Sequence, residues 1–388
     1  MAGGLSAREI LERLVAFPTI SENSNLALID WVEEYLAGCG VKAHRVWNEA
    51  RTHAALFANV GPEVAGGVVL SGHSDVVPVE GQAWSSDPFT LTERAGRLHG
   101  RGTCDMKGFV ALALAAVPAA LEAGLRRPLQ IALSYDEEVG CTGAPAMIDE
   151  MIATLPRADL VIVGEPSMMQ VVTAHKAMAG ADVRVRGHEV HSSLLPQGVS
   201  AVMEGARLID WANRMNEDIQ SRDPEGPARL FEPPFTTLHV GTVSGGTAQN
   251  ITAKECRFGL EFRCVPGDSP EGWLARLRDE AEALDAALRA RHPEAGVVLD
   301  VWPTVPALAP EEGGAAEALA RRITGDNGTH AVSYATEAGQ FQERGYSVVV
   351  CGPGDIAQAH QGDEFIAIEQ LQAGERFIRR LIDDLTKE

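Results

Sequence analysis

Four short apolar runs constrain this chain more than any other feature. They lie at 68–71, 129–134, 160–163 and 347–351, each bounded by turn residues. Short unbroken apolar runs read as strands buried on both faces. A helical stretch at about 106–121 separates the first two, and Pro118 is expected to kink it or end its first part. Strand, helix and strand in that order point to βαβ units, hence an α/β fold with a mostly parallel sheet flanked by helices. Helix-period patterns at 7–15 and 25–37 precede the first run, and Gly38 and Gly40 supply a stop.

The middle of the chain has a different rhythm. Residues 181–186 (ADVRVR) alternate, as a half-exposed strand does. A helix over 199–215, strands over 236–243 and 255–264, a helix over 270–291 and a strand over 297–301 are expected next. The order βαββαβ is that of a ferredoxin-like α+β sandwich. The pattern breaks near Met178 and again near Pro303. The expectation is an inserted domain, 178–302, within a discontinuous one formed by 1–177 and 303–388. A chain of 388 residues suits two domains.

Charge and cysteine content narrow the function. Lys and Arg number 33 against 54 Asp and Glu, a net charge of −21. No basic stripe appears, which disfavours nucleic acid and anionic membranes as partners. The six cysteines (39, 104, 141, 256, 264 and 351) form no CxxC pair. The N-terminal stretch has no apolar signal core, and no run approaches membrane-spanning length. A cytoplasmic protein is expected.

Acids and histidines follow each apolar run. The first leads to Gly72-His73-Ser74-Asp75, the second to Asp136-Glu137-Glu138, the third to Gly164-Glu165-Pro166 and the last to Ala359-His360. Carboxyl ends of parallel strands share one sheet edge, where sites form. Asp105, at the start of the intervening helix, lies near the same edge. Each group alone reads as an ordinary hydrogen-bonded pair or solvated turn. Their coincidence at four strand ends favours ligation, because buried charges are costly unless paired or on metal. Imidazole and carboxylate ligands without paired cysteines suit Zn²⁺, Co²⁺ or Mn²⁺. One His and one carboxylate per metal, plus a shared carboxylate, describe a two-metal hydrolytic site. Adjacent Glu137 and Glu138 provide one free acid and one ligand.

The motifs GHSDVVP (72–78), GRGTCDMKG (100–108), SYDEEVG (134–140), VGEP (163–166), RGHEVHSS (186–193) and AHQGDE (359–364) resemble, in order, those of the M20 metallopeptidase family. That resemblance implies a catalytic domain with an inserted lid and dimerisation domain, two divalent ions (Zn²⁺ or Co²⁺) and a homodimer. It implies His73 and Glu165 as ligands of one metal and Glu138 and His360 of the other, with Asp105 bridging. Asp75 would orient the His73 ring, and Glu137 would be the general acid/base. A cis peptide after Asp105 is implied as well. His191 would stabilise the tetrahedral intermediate, reaching across from the partner subunit in dimeric members; His188 is its competitor. Asn250 and Arg263 match positions used for a substrate carboxylate.

Within the family, GTCDMKGF, SYDEEVGCTG, HSSLLPQGVSA, YATEAGQF and GPGDIAQAHQGDE resemble the acetylornithine deacetylases. The implied substrate is N2-acetyl-L-ornithine, cleaved to ornithine and acetate in arginine biosynthesis. Glu337 is a candidate partner for the cationic side chain of ornithine; a cap on the following turn is its other reading. The alternatives are a succinyl-diaminopimelate desuccinylase, a broad N-acyl-amino-acid deacylase, or a non-catalytic metal-dependent binding protein.

Overall fold

The computed structural model describes residues 4–387. The chain divides into two compact units. One comprises Met1–Ala174, Pro310–Ala331 and Thr336–Glu388, the other His175–Ala309 and Val332–Ala335.

The first unit is built on a mixed eight-stranded sheet. Its order is Ala43–Trp47, Ala54–Val60, Leu129–Ser134, Val68–His73, Leu160–Pro166, Ser347–Gly352, Val172–His175 and His330–Val332. The four strands from Leu129–Ser134 to Ser347–Gly352 pair in parallel. Antiparallel pairs join Ala43–Trp47 to Ala54–Val60, Ala54–Val60 to Leu129–Ser134, and Val172–His175 to Ser347–Gly352. Every residue of Val68–His73, Leu129–Ser134 and Leu160–Pro166 is buried, as sheets covered on both faces require.

Helices supply that cover. Ala7–Val15 starts at a capping box, with Ser6 and Glu9 satisfying each other's backbone N–H groups. Its buried stripe is Ile10, Leu11, Leu14 and Val15, each contributing about 1.5–3 kcal/mol. This stripe packs on the helix Lys107–Ala115, of which eight residues, Lys107 to Leu114, are buried. A helix enclosed all round needs no polar face. The expected break falls at Ala116, and Val117–Glu122 begins anew with Pro118 in its first turn. Gly164 lets the helix approach the sheet: a Cβ there would lie 2.0 Å from the Phe109 ring.

The second unit has one covered sheet face. Its strands run in the order Thr237–His239, Glu255–Cys264, Ala177–Arg186 and Gly296–Val301, all antiparallel, with Val243–Gly245 also on Glu255–Cys264. Along Glu255–Cys264 the buried residues are Cys256, Phe258, Leu260, Phe262 and Cys264, a strict alternation. The helices Ala201–Gln220 and Pro270–Arg291 cover that face with Leu208, Trp211, Trp273, Leu277 and Leu288. The single strand expected over 236–243 is two strands. His239 pairs with Glu261 and Val243 with Phe258, so four residues advance against three, a one-residue bulge. The unit also extends past the expected limits of 178 and 302. Met178 exchanges backbone hydrogen bonds with Val305, and His175 with Leu308, so the returning chain stays paired through that stretch.

Candidate metal centre

The carboxyl ends of the central strands bring six sequence-selected side chains together. His73 closes its strand and is fully buried. Its Nε2 lies 3.1 Å from Asp105 Oδ1 and 3.7 Å from Glu165 Oε1. His360 Nε2 lies 3.1 Å from Asp105 Oδ2 and 2.9 Å from Glu138 Oε2. Asp105 thus offers one oxygen to each imidazole. Glu137 joins His73 and Glu165 in a second potential ligand set, overlapping that of His73, Asp105 and Glu138. The peptide after Asp105 is cis.

Asp75 stands beside this cluster. Its backbone carbonyl is 2.9 Å from His73 Nδ1, while its carboxylate is 3.6 Å away. The carboxylate accepts hydrogen bonds from the Ser21 hydroxyl and from the N–H groups of Glu137 and Glu138. One residue therefore sets the imidazole and pins the turn bearing both glutamates. That turn begins at Asp136 with φ of 56°, and His360 sits at 60°. Such backbone is uncommon for residues with a Cβ and persists where the surroundings fix it.

The electrostatics fit a site for divalent cations. Burial, helped by Glu138, Asp105 and Asp75, pushes Glu137 up to about 8 although His73 opposes it. Burial and Asp105 push Glu138 up to about 7. Burial raises Glu165 well above the carboxylate range. Burial also opposes charge on Asp105, yet hydrogen bonds from His360 and His73 hold it below its ordinary value. Contacts with Asp105 and Glu138 lift His360 to about 10. Glu138 Oε1 and Glu165 Oε1 are buried without a hydrogen-bond partner. Orphaned carboxylate oxygens beside two imidazoles are the donor set a borderline divalent ion requires.

Two supporting residues escaped the sequence reading. Glu364 is buried and accepts from Arg101 Nη1 at 2.8 Å and from the N–H groups of Gly102, Cys104 and Asp105 at 3.0, 2.9 and 3.1 Å. It clamps the segment ending in Asp105 to the segment beginning with His360. The only available signal was its place in AHQGDE. Arg101, also buried, lies over the Trp84 ring.

The remaining expected residues make other contacts. Glu337 is 1% exposed, and its two oxygens accept from the Ser71 and Ser134 hydroxyls, each at 2.6 Å. It stands as a buried acceptor between two strand ends. It makes no side-chain cap on the helix Ala338–Glu343. His191, Asn250 and Arg263 belong to the second unit. His191 is exposed, with Nδ1 2.9 Å from Ser193 Oγ, and it bridges to Ile251. The Asn250 carbonyl accepts from Ser192 N–H, and Arg263 pairs with Glu261. Among the described residues, no helix is long and apolar enough to cross a membrane.

Comparison with known proteins agrees with this geometry. Residues 69–384 match the model of peptidase family M20/M25/M40. An acetylornithine deacetylase of Myxococcus xanthus is 37% identical, over 97% of this chain and 96% of that one. One from Proteus mirabilis is 32% identical, with the same coverage. An M20 family metallo-carboxypeptidase of Sulfolobus solfataricus shares the fold, with a TM-score of 0.80 at 17% identity over 98% and 99% of the two chains. The chain belongs to peptidase family M20/M25/M40 and is a hydrolase of amide bonds.

Proposed function

We propose that this protein removes the acetyl group from N2-acetyl-L-ornithine with the help of two divalent ions, Zn²⁺ or Co²⁺. The observation carrying the two-ion reading is Asp105, one oxygen toward His73 and the other toward His360. His73, Asp105 and Glu165 would hold one ion, and Asp105, Glu138 and His360 the other. Bound there, the ions supply Lewis acidity, polarising the amide carbonyl and making water a nucleophile at neutral pH. Glu137 takes the proton of the attacking water and delivers it to the departing amine nitrogen. Its place beside His73 and Glu165, outside the two proposed ligand sets, suits a group that must take up a proton and give it up. Asp75 holds the Glu137 backbone through its N–H.

The choice of acyl amino acid rests on the relatives, two of which carry the name acetylornithine deacetylase over nearly their full length. His191 is assigned to the oxyanion of the tetrahedral intermediate, and Asn250 and Arg263 to the substrate carboxylate, which a guanidinium grips with two parallel hydrogen bonds. A homodimer is proposed through the second unit, with cytoplasmic location; six free thiols suit a reducing compartment.

Initial rates on acetylornithine, succinyl-diaminopimelate and acetylmethionine, with Zn²⁺ or Co²⁺ added, test the assignment. Acetylornithine should lead by at least tenfold in kcat/KM. Equal rates on acetylmethionine would make the enzyme a broad deacylase, and a lead for the succinyl substrate would reassign it.

A further inference from the structure

The second unit holds another cluster of metal-ligating side chains. His292 follows the helix Pro270–Arg291, and Glu294 lies two residues on. His188 follows the strand Ala177–Arg186. The rings of His188 and His292 stack, with centroids 3.6 Å apart and planes 12° from parallel. One ligand atom from each of His188, His292 and Glu294 lies within 4.8 Å of the other two. We propose that these three side chains form an auxiliary site for a borderline divalent cation, with Zn²⁺ the best fit.

The stacking matters first. It holds the two rings side by side, within reach of one ion. Neutral imidazole is the form that binds metal. Two nitrogens and one carboxylate oxygen suit zinc or cobalt, whereas magnesium and calcium seek oxygen shells. Three protein ligands leave a fourth position for water.

The spacing is loose but within reach. Tetrahedral zinc with bonds of about 2.0–2.1 Å places its ligand atoms roughly 3.3 Å apart. Ligand atoms within 4.8 Å of one another close to that spacing once the two rings rotate out of their stack, because an imidazole nitrogen binds a cation in its ring plane. Glu294 is exposed, and both histidines are partly exposed, so rotation is unhindered by a core. The Glu294 N–H donates to His292 Nδ1 at 3.3 Å, a long contact that a cation would replace. The neighbouring cavity is lined by Arg186, Lys254 and Arg289 but also by Glu189, Glu255 and Glu294, so its formal charges cancel and leave a dication admissible.

Occupancy would have a local consequence. His188 pairs with Val199 at the far end of the segment that carries His191. A cation here would join that segment to the end of the helix Pro270–Arg291.

Equilibrium dialysis of the full-length protein against Zn²⁺, with metal counted by plasma mass spectrometry, tests the site. The wild type should bind one equivalent more than His188→Ala, His292→Ala or the double variant, with a Kd in the micromolar range. Glu294→Gln should weaken that equivalent at least tenfold, and Glu189→Gln should leave it intact. Histidine NMR signals of folded wild type should show two rings shifting together during the last equivalent. Equal metal counts in wild type and the double variant would overturn the proposal. So would an extra equivalent that perturbs neither ring, which also decides the matter should an alanine variant fail to fold.

Discussion

Two ion pairs show how differently the two units treat charge. Arg101 and Glu364 in the first unit are both 1% exposed, and Glu364 also accepts three backbone N–H groups. Arg257 and Glu255, on the open sheet face of the second, are 59% and 42% exposed and meet only neighbouring strand residues. In the parallel sheet, strand ends are enclosed, so a charge there must be fully partnered or hold a cation. In the antiparallel sheet every second residue faces water, and charge costs nothing. The clustered acids and imidazoles around Asp105 belong to the first setting.

The sharpest way to break this contrast is Glu137→Gln, which removes the acid that the proposed ligand sets leave free to move protons. Turnover should fall by about 10²–10⁴-fold while metal content by mass spectrometry stays at the wild-type value. Retention of more than a tenth of the activity would require another base. Next comes Glu364→Gln. It strands the buried Arg101 charge and loosens Asp105, so metal affinity measured against a chelator should drop by about 10–100-fold. Affinity equal to wild type would reduce the clamp to a bystander.

Arg263→Ala is expected to raise KM for acetylornithine about tenfold, the loss of roughly 1.5 kcal/mol from a charged hydrogen bond, with kcat little changed. An unaltered KM would remove Arg263 from the substrate. A smaller effect concerns pH. Without cations, the folded chain keeps protons on Glu137 and Glu138 up to about 8 and 7, against an ordinary 4.5. The folded state then binds more protons than the unfolded one, so this contribution is complete at low pH and is lost as pH rises through 7–8. Melting of the metal-free protein should therefore weaken as pH rises from about 5 to about 8, and added Zn²⁺ should abolish the trend. At the bottom of the scale, Glu255→Gln should leave Tm unchanged, since its partners are solvated; a clear drop would contradict the contrast drawn above.

The sequence was most readable where local pattern and tertiary setting agreed. The helix Ala7–Val15 and the strands Leu129–Ser134 and Glu255–Cys264 fall on the expected residues, because caps, apolar runs and alternation all speak locally. The strands Ala43–Trp47 and Ala54–Val60 were not foreseen. The first is only partly buried, and the second (AALFANV) carries alanines that favour helix; its strand character comes from pairing with Leu129–Ser134. His73, Asp105, Glu138, Glu165 and His360 could be proposed from strand-end positions. Glu364 could not, since its role is to receive backbone hydrogens from a segment some 260 residues earlier, and no spacing rule records that. The contacts of Glu337 were equally hidden: Ser71 and Ser134, on two separate strands, hold both its oxygens, and no local pattern announces that.

The strand Ser347–Gly352 lies between Leu160–Pro166 and Val172–His175, yet it is made only after the whole second unit. During synthesis the nascent chain must leave a gap in its sheet, one strand wide and apolar on both sides. His360 arrives with the filler. Until then the growing polypeptide carries the acids and one imidazole but not the full cage. The complete set of ligands therefore exists only once residue 360 has been made, and truncation before residue 347 should yield aggregates and no apoenzyme.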